Sequence, residues 1–308
     1  MKSIKFCAIL ALMFLGVSTQ AQISESTQAD SAKITKKVKD KRPVRAPFQS
    51  GTLINQQTTE NLKKKELEVM IEHRFGTFQN GYQDLLGVYG SANIRIGFDY
   101  GIIDRVQLGF GVTKNNLTTD FRGKVMIFKQ TRTNSMPVAI SYFGDMGIAG
   151  SKDTVQFKKA VDRLSFFHQI IISRRFCDYF SLQVAGSYMH YNIVAAAAGT
   201  KHDNFAISGG ARFKISPQSS ILIEFDYPFT NTGSLEHSFD ANKSYPNIGL
   251  AWEIATTGHA FQIVICSASG ILPQADIVYN SNDIATPKKG LVIGFNITRI
   301  WSFAGKGK

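Results

Sequence analysis

Hydrophobic and polar residues alternate one by one through most of the chain from Glu66 onward. In the first such segment, ELEVMIEHRF, Leu67 and Val69 lie on one side of the chain and Glu68 lies on the other. Because successive side chains of a β-strand point to opposite faces, this period of two predicts a strand with one apolar and one polar face. The pattern recurs as far as Trp301 and predicts about twelve strands, with a range of roughly 10 to 14. No comparable stretch has a sustained helical period, which argues against α/β and TIM-barrel folds.

The predicted strands are long enough to cross a membrane. About ten residues at a rise of ~3.3 Å, tilted by ~40°, give a height of about 25 Å, which matches the apolar band of an outer-membrane barrel. Short turns such as 101–104 and 257–259 alternate with connections that are mostly longer, such as 148–162 and 269–288, as in transmembrane barrels. The predicted fold class is therefore all-β, an antiparallel transmembrane β-barrel over residues 66–303.

The polar face of these strands carries many charged residues. A soluble barrel would have to bury them in a packed core, where so many charges could not be desolvated. We therefore expect the apolar face to contact lipid and the polar face to line the lumen, where the charges either line a pore or pair into a network that closes it. The predicted lumen-lining charged residues are Glu68, Glu72, Arg95, Asp99, Arg105, Arg122, Lys124, Arg212, Lys214, Glu224, Asp226 and Glu253.

Residues 1–21 have the features of a secretory signal peptide. Lys2 and Lys5 precede an apolar stretch over 7–17, and the small-residue sequence TQA at 19–21 is a cleavage site. The apolar stretch is about half of the ~20 residues that a membrane-spanning helix needs. The sequence therefore predicts export of the mature chain.

The basic charge of the chain is concentrated at its N-terminal end. Residues 1–65 contain 12 basic and four acidic side chains, a balance of +8 within the total of +12. Residues 22–65 are predicted to be a basic, largely disordered periplasmic leader, attracted to anionic lipid or partly tucked into the lumen. Clustered lysine and arginine can also bind nucleic acid, but export argues against such a partner, and none is predicted. Residues 304–308 are predicted to be a short C-terminal tail.

Sequence motifs for catalysis or for metal and cofactor binding are weak. The mature chain keeps two cysteines, Cys177 and Cys266, which are predicted to be free thiols. The six histidines are dispersed, so no metal site and no cofactor are predicted. An outer-membrane hydrolase is the least favoured alternative: His202 and Asp203, beside Asn204, could form a catalytic pair, but there is no G-x-S-x-G motif. No catalytic residue is assigned.

A resemblance to a known family lies in two stretches, GTLINQQTTENLKKKELEVMIEHRFG (51–76) and ANIRIGFDYGIIDRVQLGFG (92–111). Through the elements HRFG and YGI-x-D, they resemble the start of an uncharacterised β-barrel family, a domain of unknown function, of exported Gram-negative proteins. The resemblance extends from about residue 50 to the end and implies an outer-membrane location, without catalytic residues. The last strand, ending in Trp301 and Phe303, resembles the closing strand by which such barrels are recognised for assembly, and residues 304–308 extend beyond that pattern.

The expected function is that of a monomeric outer-membrane barrel that forms a narrow pore for small polar solutes. The alternative is a non-conducting barrel that anchors or docks a periplasmic or surface partner. A barrel of about twelve strands lies between filled 8-stranded barrels and open 16-stranded porins, so its size allows either function. The expected partners are outer-membrane lipid and either small polar solutes or a periplasmic protein.

Overall fold

The chain folds into a closed antiparallel barrel of twelve strands. The computed structural model describes residues 42–152, 157–194, 201–229, 244–283 and 290–304. Each strand pairs with its neighbours in sequence, and β12 pairs with β1. This confirms the predicted fold class and number of strands. The strands are β1 Glu66–Thr77, β2 Asn93–Ile103, β3 Val106–Thr113, β4 Thr118–Phe128, β5 Ala139–Ile148, β6 Leu164–Arg175, β7 Phe180–Tyr191, β8 Asp203–Lys214, β9 Ser219–Pro228, β10 Asn247–Ala255, β11 His259–Cys266 and β12 Val292–Ser302.

The first and last strands close the barrel. Leu67 pairs with Trp301 and His73 pairs with Phe295 in the register between β1 and β12. Closure leaves no strand with unpaired backbone N–H and C=O groups along an edge, as a sheet in lipid requires.

The two ends of the barrel differ in the length of their connections. At the end where β1 begins and β12 finishes, the connection 129–138 has ten residues and the other four are short: 104–105, 176–179, 215–218 and 256–258. At the other end the connections are mostly longer: 78–92, 114–117, 149–163, 192–202, 229–246 and 267–291. We call these the short-turn end and the long-loop end. The loop after β11 contains a short helix, α1, over Pro273–Val278.

Side chains alternate between the two faces of the barrel wall. In β3, Leu108 and Phe110 point outward and are about half exposed, whereas Gln107 and Thr113 point into the lumen and are buried. The outer surface is therefore apolar and the lumen polar, as the period of two predicts. In the part of the chain that the structure describes, no helix is both long and apolar enough to cross a bilayer.

The predicted N-terminal leader is partly inside the barrel. Residues 48–62 occupy the lumen, and Ile54, Thr58 and Thr59 are fully buried there. The expectation of a largely disordered leader is therefore wrong for this part of residues 22–65, because the backbone and polar side chains of the segment hydrogen-bond to the lumen wall. The predicted signal peptide and residues 22–41 lie outside the described residues and stay predictions.

Candidate functional site

The lumen contains most of the charged residues that the sequence places there. Ten of the twelve predicted residues are buried on the lumen face: Glu68, Glu72, Arg95, Asp99, Arg122, Lys124, Arg212, Glu224, Asp226 and Glu253. The prediction is wrong for Arg105, which lies exposed in the turn between β2 and β3, where the alternation of faces ends. Lys214 ends β8 and lines a cavity at the short-turn end instead of the buried lumen.

Ion pairs fill the lumen beside strands β1 to β4. The Arg95 guanidinium binds Glu72 at 3.0 Å and Asp120 at 2.5 Å, and all three side chains are buried. Arg122 pairs with Asp99 in the next layer of the lumen. These side chains join β1 to β2, and β2 to β4 across the intervening β3, so this side of the lumen is closed by a network of paired charges.

Two glycines of β3 leave room for these ion pairs. A Cβ atom at Gly109 would overlap the Asp99 carboxylate, and one at Gly111 would overlap the Arg95 guanidinium. The absence of side chains at these positions therefore lets the charged groups lie directly against the wall.

Residues 48–62 fill the remaining lumen, and we call them the plug segment. Ile54, Asn55 and Gln56 donate their backbone N–H groups to the Glu224 carboxylate at 3.0 to 3.1 Å. From β1, Arg74 donates to the carbonyl of Ile54 at 3.2 Å and to Oδ1 of Asn55 at 2.7 Å. One carboxylate and one guanidinium therefore hold the middle of the plug segment from two walls of the barrel.

Further hydrogen bonds fix the flanks of the plug segment. Lys124 Nζ donates to the carbonyl of Gly51 at 3.1 Å, and Gln183 Nε2 donates to the carbonyl of Gln57 at 2.7 Å. The hydroxyls of Thr59 and Ser173 share a hydrogen bond of 2.5 Å. The plug segment thus contacts walls all around the barrel, and its polar composition suits this charged environment.

Apolar contacts add to these polar ones. Leu53 and Ile54 belong to a buried cluster with residues of β9 to β12. Gly210 and Gly249 face them across the lumen, because a Cβ atom on Gly210 would overlap Leu53 and one on Gly249 would touch Ile54 at 3.0 Å. The wall is therefore shaped to the side chains of the plug segment.

Helix α1 enters the lumen from the long-loop end and narrows it there. Gln274 Nε2 donates to Asp145 of β5 at 3.0 Å, and Ile277 packs in a second buried cluster with Phe143 and Phe167 of the wall. The described residues therefore fill the lumen from both ends, with the plug segment and α1 meeting inside the barrel.

One acidic residue of the plug segment titrates near neutral pH. Burial raises the pKa of Glu60 to about 7, although Lys124, Lys129 and Arg212 oppose this shift. The protonation of Glu60 therefore changes in the physiological range, close to the short-turn end of the plug segment.

The two ends of the barrel carry open cavities. At the long-loop end, a cavity of about 250 Å³ lies beside α1 and is lined by groups that include Asn93, Tyr191 and Tyr279. At the short-turn end, Arg132 and Arg175 line a cavity of about 470 Å³. The plug segment and α1 lie between these two cavities.

The histidine and aspartate that the hydrolase alternative requires as a catalytic pair do not hydrogen-bond to each other. His202 Nδ1 contacts the carbonyl of Tyr191 at 2.6 Å, whereas Asp203 accepts hydrogen bonds from Tyr188 at 2.6 Å and from His190 at 2.7 Å. His202 and Asp203 therefore hydrogen-bond to other groups and not to each other, so they do not form the predicted pair. Among the described residues, His190 and His202 have no serine hydroxyl as a hydrogen-bond partner.

Several lumen residues escaped the sequence prediction. Asp120 lies on the polar face of β4 at even spacing from Arg122 and Lys124, and Asp145 lies on the polar face of β5, so the period of two could have found both. Arg74 also follows the polar face of β1. Asp276 lies in the loop after β11 and has no periodic signal. The predicted free thiols are confirmed, with Cys177 exposed and Cys266 buried.

The fold and the lumen define a class of protein, a membrane β-barrel whose charged lumen is closed by segments of its own chain. The chain belongs to the family of the membrane-bound beta-barrel domain DUF5777, whose family model matches residues 48–301. The match confirms the resemblance seen in the sequence, begins at the first residue of the plug segment, and together with the closed barrel identifies the chain as an outer-membrane protein. No curated protein sequence matches the chain.

Several solved structures of outer-membrane barrels are similar to the chain in fold. The COG4313 outer membrane channel from Pseudomonas putida F1 has a TM-score of 0.49 and 11% identity, and the match covers 79% of this chain and 98% of that one. The NanC porin has a TM-score of 0.46 and 7% identity, covering 76% of this chain and 98% of the porin. The KdgM porin, solved with disordered oligogalacturonate, has a TM-score of 0.44 and 7% identity, covering 77% and 99%.

Proposed function

We propose that the protein is a gated outer-membrane channel for small polar solutes, closed in its resting state by the plug segment. The observation that carries this proposal is the composition of the lumen. Its wall is lined by charged and polar residues, and the middle of the space between the walls is filled by residues 48–62, which are not part of the wall. Removal of this segment opens a polar passage in a barrel of intermediate width, and α1 narrows this passage at the long-loop end.

The way the plug segment is held supports a movable closure. It is continuous with β1 at the short-turn end, which faces the periplasm in outer-membrane barrels. Its contacts with Glu224, Arg74 and Lys124 are hydrogen bonds to individual wall side chains, without a strand pairing to the barrel. Withdrawal toward the periplasm therefore leaves every strand pair of the barrel intact.

Conductance in planar bilayers tests the proposal. We expect the full chain to be closed with brief openings and a variant lacking residues 43–62 to show sustained current steps. Folding of both proteins is checked by their altered migration in an unheated detergent gel. A folded deletion variant that stays silent would contradict the channel.

A second candidate is the non-conducting barrel that docks a partner. It is favoured by the filling of the lumen from both ends, including the apolar contacts of Leu53 and of Ile277. In that case the deletion variant loses stability without gaining conductance, and the basic short-turn end with Arg132 and Arg175 presents the docking surface.

A further inference from the structure

Three buried carboxylates meet where the plug segment, α1 and the barrel wall come together. Glu224 and Asp226 lie two residues apart on the lumen face of β9, and Asp276 lies on α1. All three have an exposed fraction of 0%. One carboxylate oxygen from each residue lies within 4.8 Å of the other two. Such a concentration of negative charge inside a barrel requires a compensating positive charge.

The hydrogen bonds of these carboxylates leave several oxygens without a partner. Glu224 is satisfied by the backbone of the plug segment, and Asp226 Oδ2 accepts a hydrogen bond from Asn247 at 2.9 Å. Asp226 Oδ1 and both oxygens of Asp276 make no well-formed hydrogen bond. The amide of Asn55 approaches Asp276 and that of Gln56 approaches Asp226, but neither amide nitrogen makes a well-formed hydrogen bond. Buried acceptors of this kind are rare and call for a ligand that satisfies them.

A fourth oxygen points to the same place from outside the acidic cluster. Ser208 pairs with Asp226 across β8 and β9, and its side chain approaches that of Asp226. The Ser208 residue is 4% exposed and its hydroxyl makes no well-formed hydrogen bond. The site therefore offers oxygens without a well-formed hydrogen bond from β8, β9 and α1, which belong to three different parts of the chain.

The charges near the site leave room for a divalent cation. The three carboxylates carry three negative charges when ionised, and Arg74 is the basic group near Asp276. The Arg74 guanidinium donates instead to the plug segment, the carbonyl of His73 and Asn296. A charge of about −2 therefore remains, which one divalent cation neutralises.

We propose that Glu224, Asp226, Asp276 and Ser208 form a binding site for a hard divalent cation of the calcium type. Carboxylate and hydroxyl oxygens are the ligands that Ca²⁺ prefers, and both free oxygens of Asp276 allow a bidentate contact. The group of close side chains contains no histidine or cysteine, which disfavours zinc. A bound cation would join α1 to β9 directly and to the plug segment through Glu224. The site goes beyond the proposed channel, because cation binding can be measured in the closed protein.

Calorimetric titration of the full chain tests the site directly. The protein is refolded in detergent, which keeps it free of lipopolysaccharide that would itself bind cations, and is stripped with EDTA. We expect Ca²⁺ to bind with a stoichiometry of one and to raise the unfolding temperature, with a weaker response to Mg²⁺. The absence of Ca²⁺ binding to the folded wild-type chain would overturn the proposal.

Two variants separate a cation site from a structural role of Asp276. Asp276→Asn should abolish the Ca²⁺ response and should be at least as stable as the wild type in EDTA, because it removes an uncompensated buried charge. Asp178→Asn, in an exposed turn between β6 and β7, is the matched control and should keep the full response. Equal Ca²⁺ binding by Asp276→Asn and the wild type would contradict the site. If Asp276→Asn does not fold, the titration of the wild-type chain still decides the question.

Discussion

At the scale of single residues, the lumen depends on a few charged side chains that each hold several groups. Glu224 accepts three backbone N–H groups of the plug segment, and Arg74 donates to its Ile54 carbonyl and its Asn55 side chain. Hydrogen bonds to charged groups contribute about 1.5 to 3 kcal/mol each, so the loss of one such group has a large effect.

Substitution of Glu224 should loosen the plug segment. Glu224→Gln keeps the shape of the side chain but removes the charge that attracts the three N–H groups. In a Cys177→Ser background, we expect a thiol placed at the fully buried Thr58 to react with a soluble maleimide about tenfold faster or more. Glu66→Gln, at the beginning of β1, is the matched control, and equal rates in the two variants would contradict the role of Glu224.

The fit between wall and plug segment can be tested at two neighbouring glycines. Gly210 faces Leu53 in the lumen, whereas nothing lies within 4 Å of a Cβ atom at Gly209 on the outer face. Gly210→Val should displace the plug segment or destabilise the closed state by about 1 to 3 kcal/mol, because it overfills the lumen. Gly209→Val should have little effect. Comparison of the unfolding free energies and the open probabilities of the two variants checks this prediction. Equal values of both quantities in the two variants would refute it.

At the scale of elements, the strands could be predicted from the sequence and the plug segment could not. A strand that separates lipid from a polar lumen must alternate, so each strand carries its own signal in the period of two. Residues 48–62 are held by wall residues far away in sequence, such as Glu224 and Gln183, and their own pattern has no period. Asp276 likewise reaches the lumen only when α1 folds into it, so no sequence pattern predicts its position.

The outward face of the strands predicts how much a charged substitution destabilises the protein at each depth in the membrane. Leu250 lies in the middle of β10 and is half exposed on the outer surface, whereas Ile215 lies outward just beyond the end of β8. Leu250→Arg should cost about 2 to 4 kcal/mol near the bilayer midplane, and Ile215→Arg about 0 to 1 kcal/mol near the interface. Unfolding in lipid vesicles measures both. Equal costs at the two positions would contradict the assigned faces.

The plug segment as an element should respond to pH through Glu60. Its pKa is about 7 in the closed state against an ordinary value of 4.5, so the closed state binds the proton more tightly than a released plug segment does. This contribution to closure is complete below pH 4.5 and is lost as the pH rises through 7.

We therefore expect the open probability in bilayers to increase between pH 5 and pH 8. Glu60→Gln should reduce this increase, since the amide does not titrate. Other lumen carboxylates respond to pH in both proteins, so the difference between wild type and variant isolates Glu60. An unchanged pH profile in Glu60→Gln would exclude this contribution.

At the scale of the whole molecule, closure of the barrel and closure of the lumen are separate features. Strand pairing from β1 to β12 makes the wall. The plug segment and α1 lie in the lumen and are not strands of the sheet. The molecule can therefore change the state of its lumen without breaking its wall. This separation is the central claim of the account, and it assigns the resting closure to residues 48–62.

A reversible cross-link between the plug segment and the wall tests that claim most directly. Thr59 and Ser173 place their hydroxyls 2.5 Å apart, so the pair Thr59→Cys and Ser173→Cys, in the Cys177→Ser background, can form a disulfide inside the lumen. In a planar bilayer, we expect no current from the oxidised protein and the appearance of openings when the same protein is reduced. Openings of equal frequency in the oxidised state, or silence that persists after reduction, would contradict it.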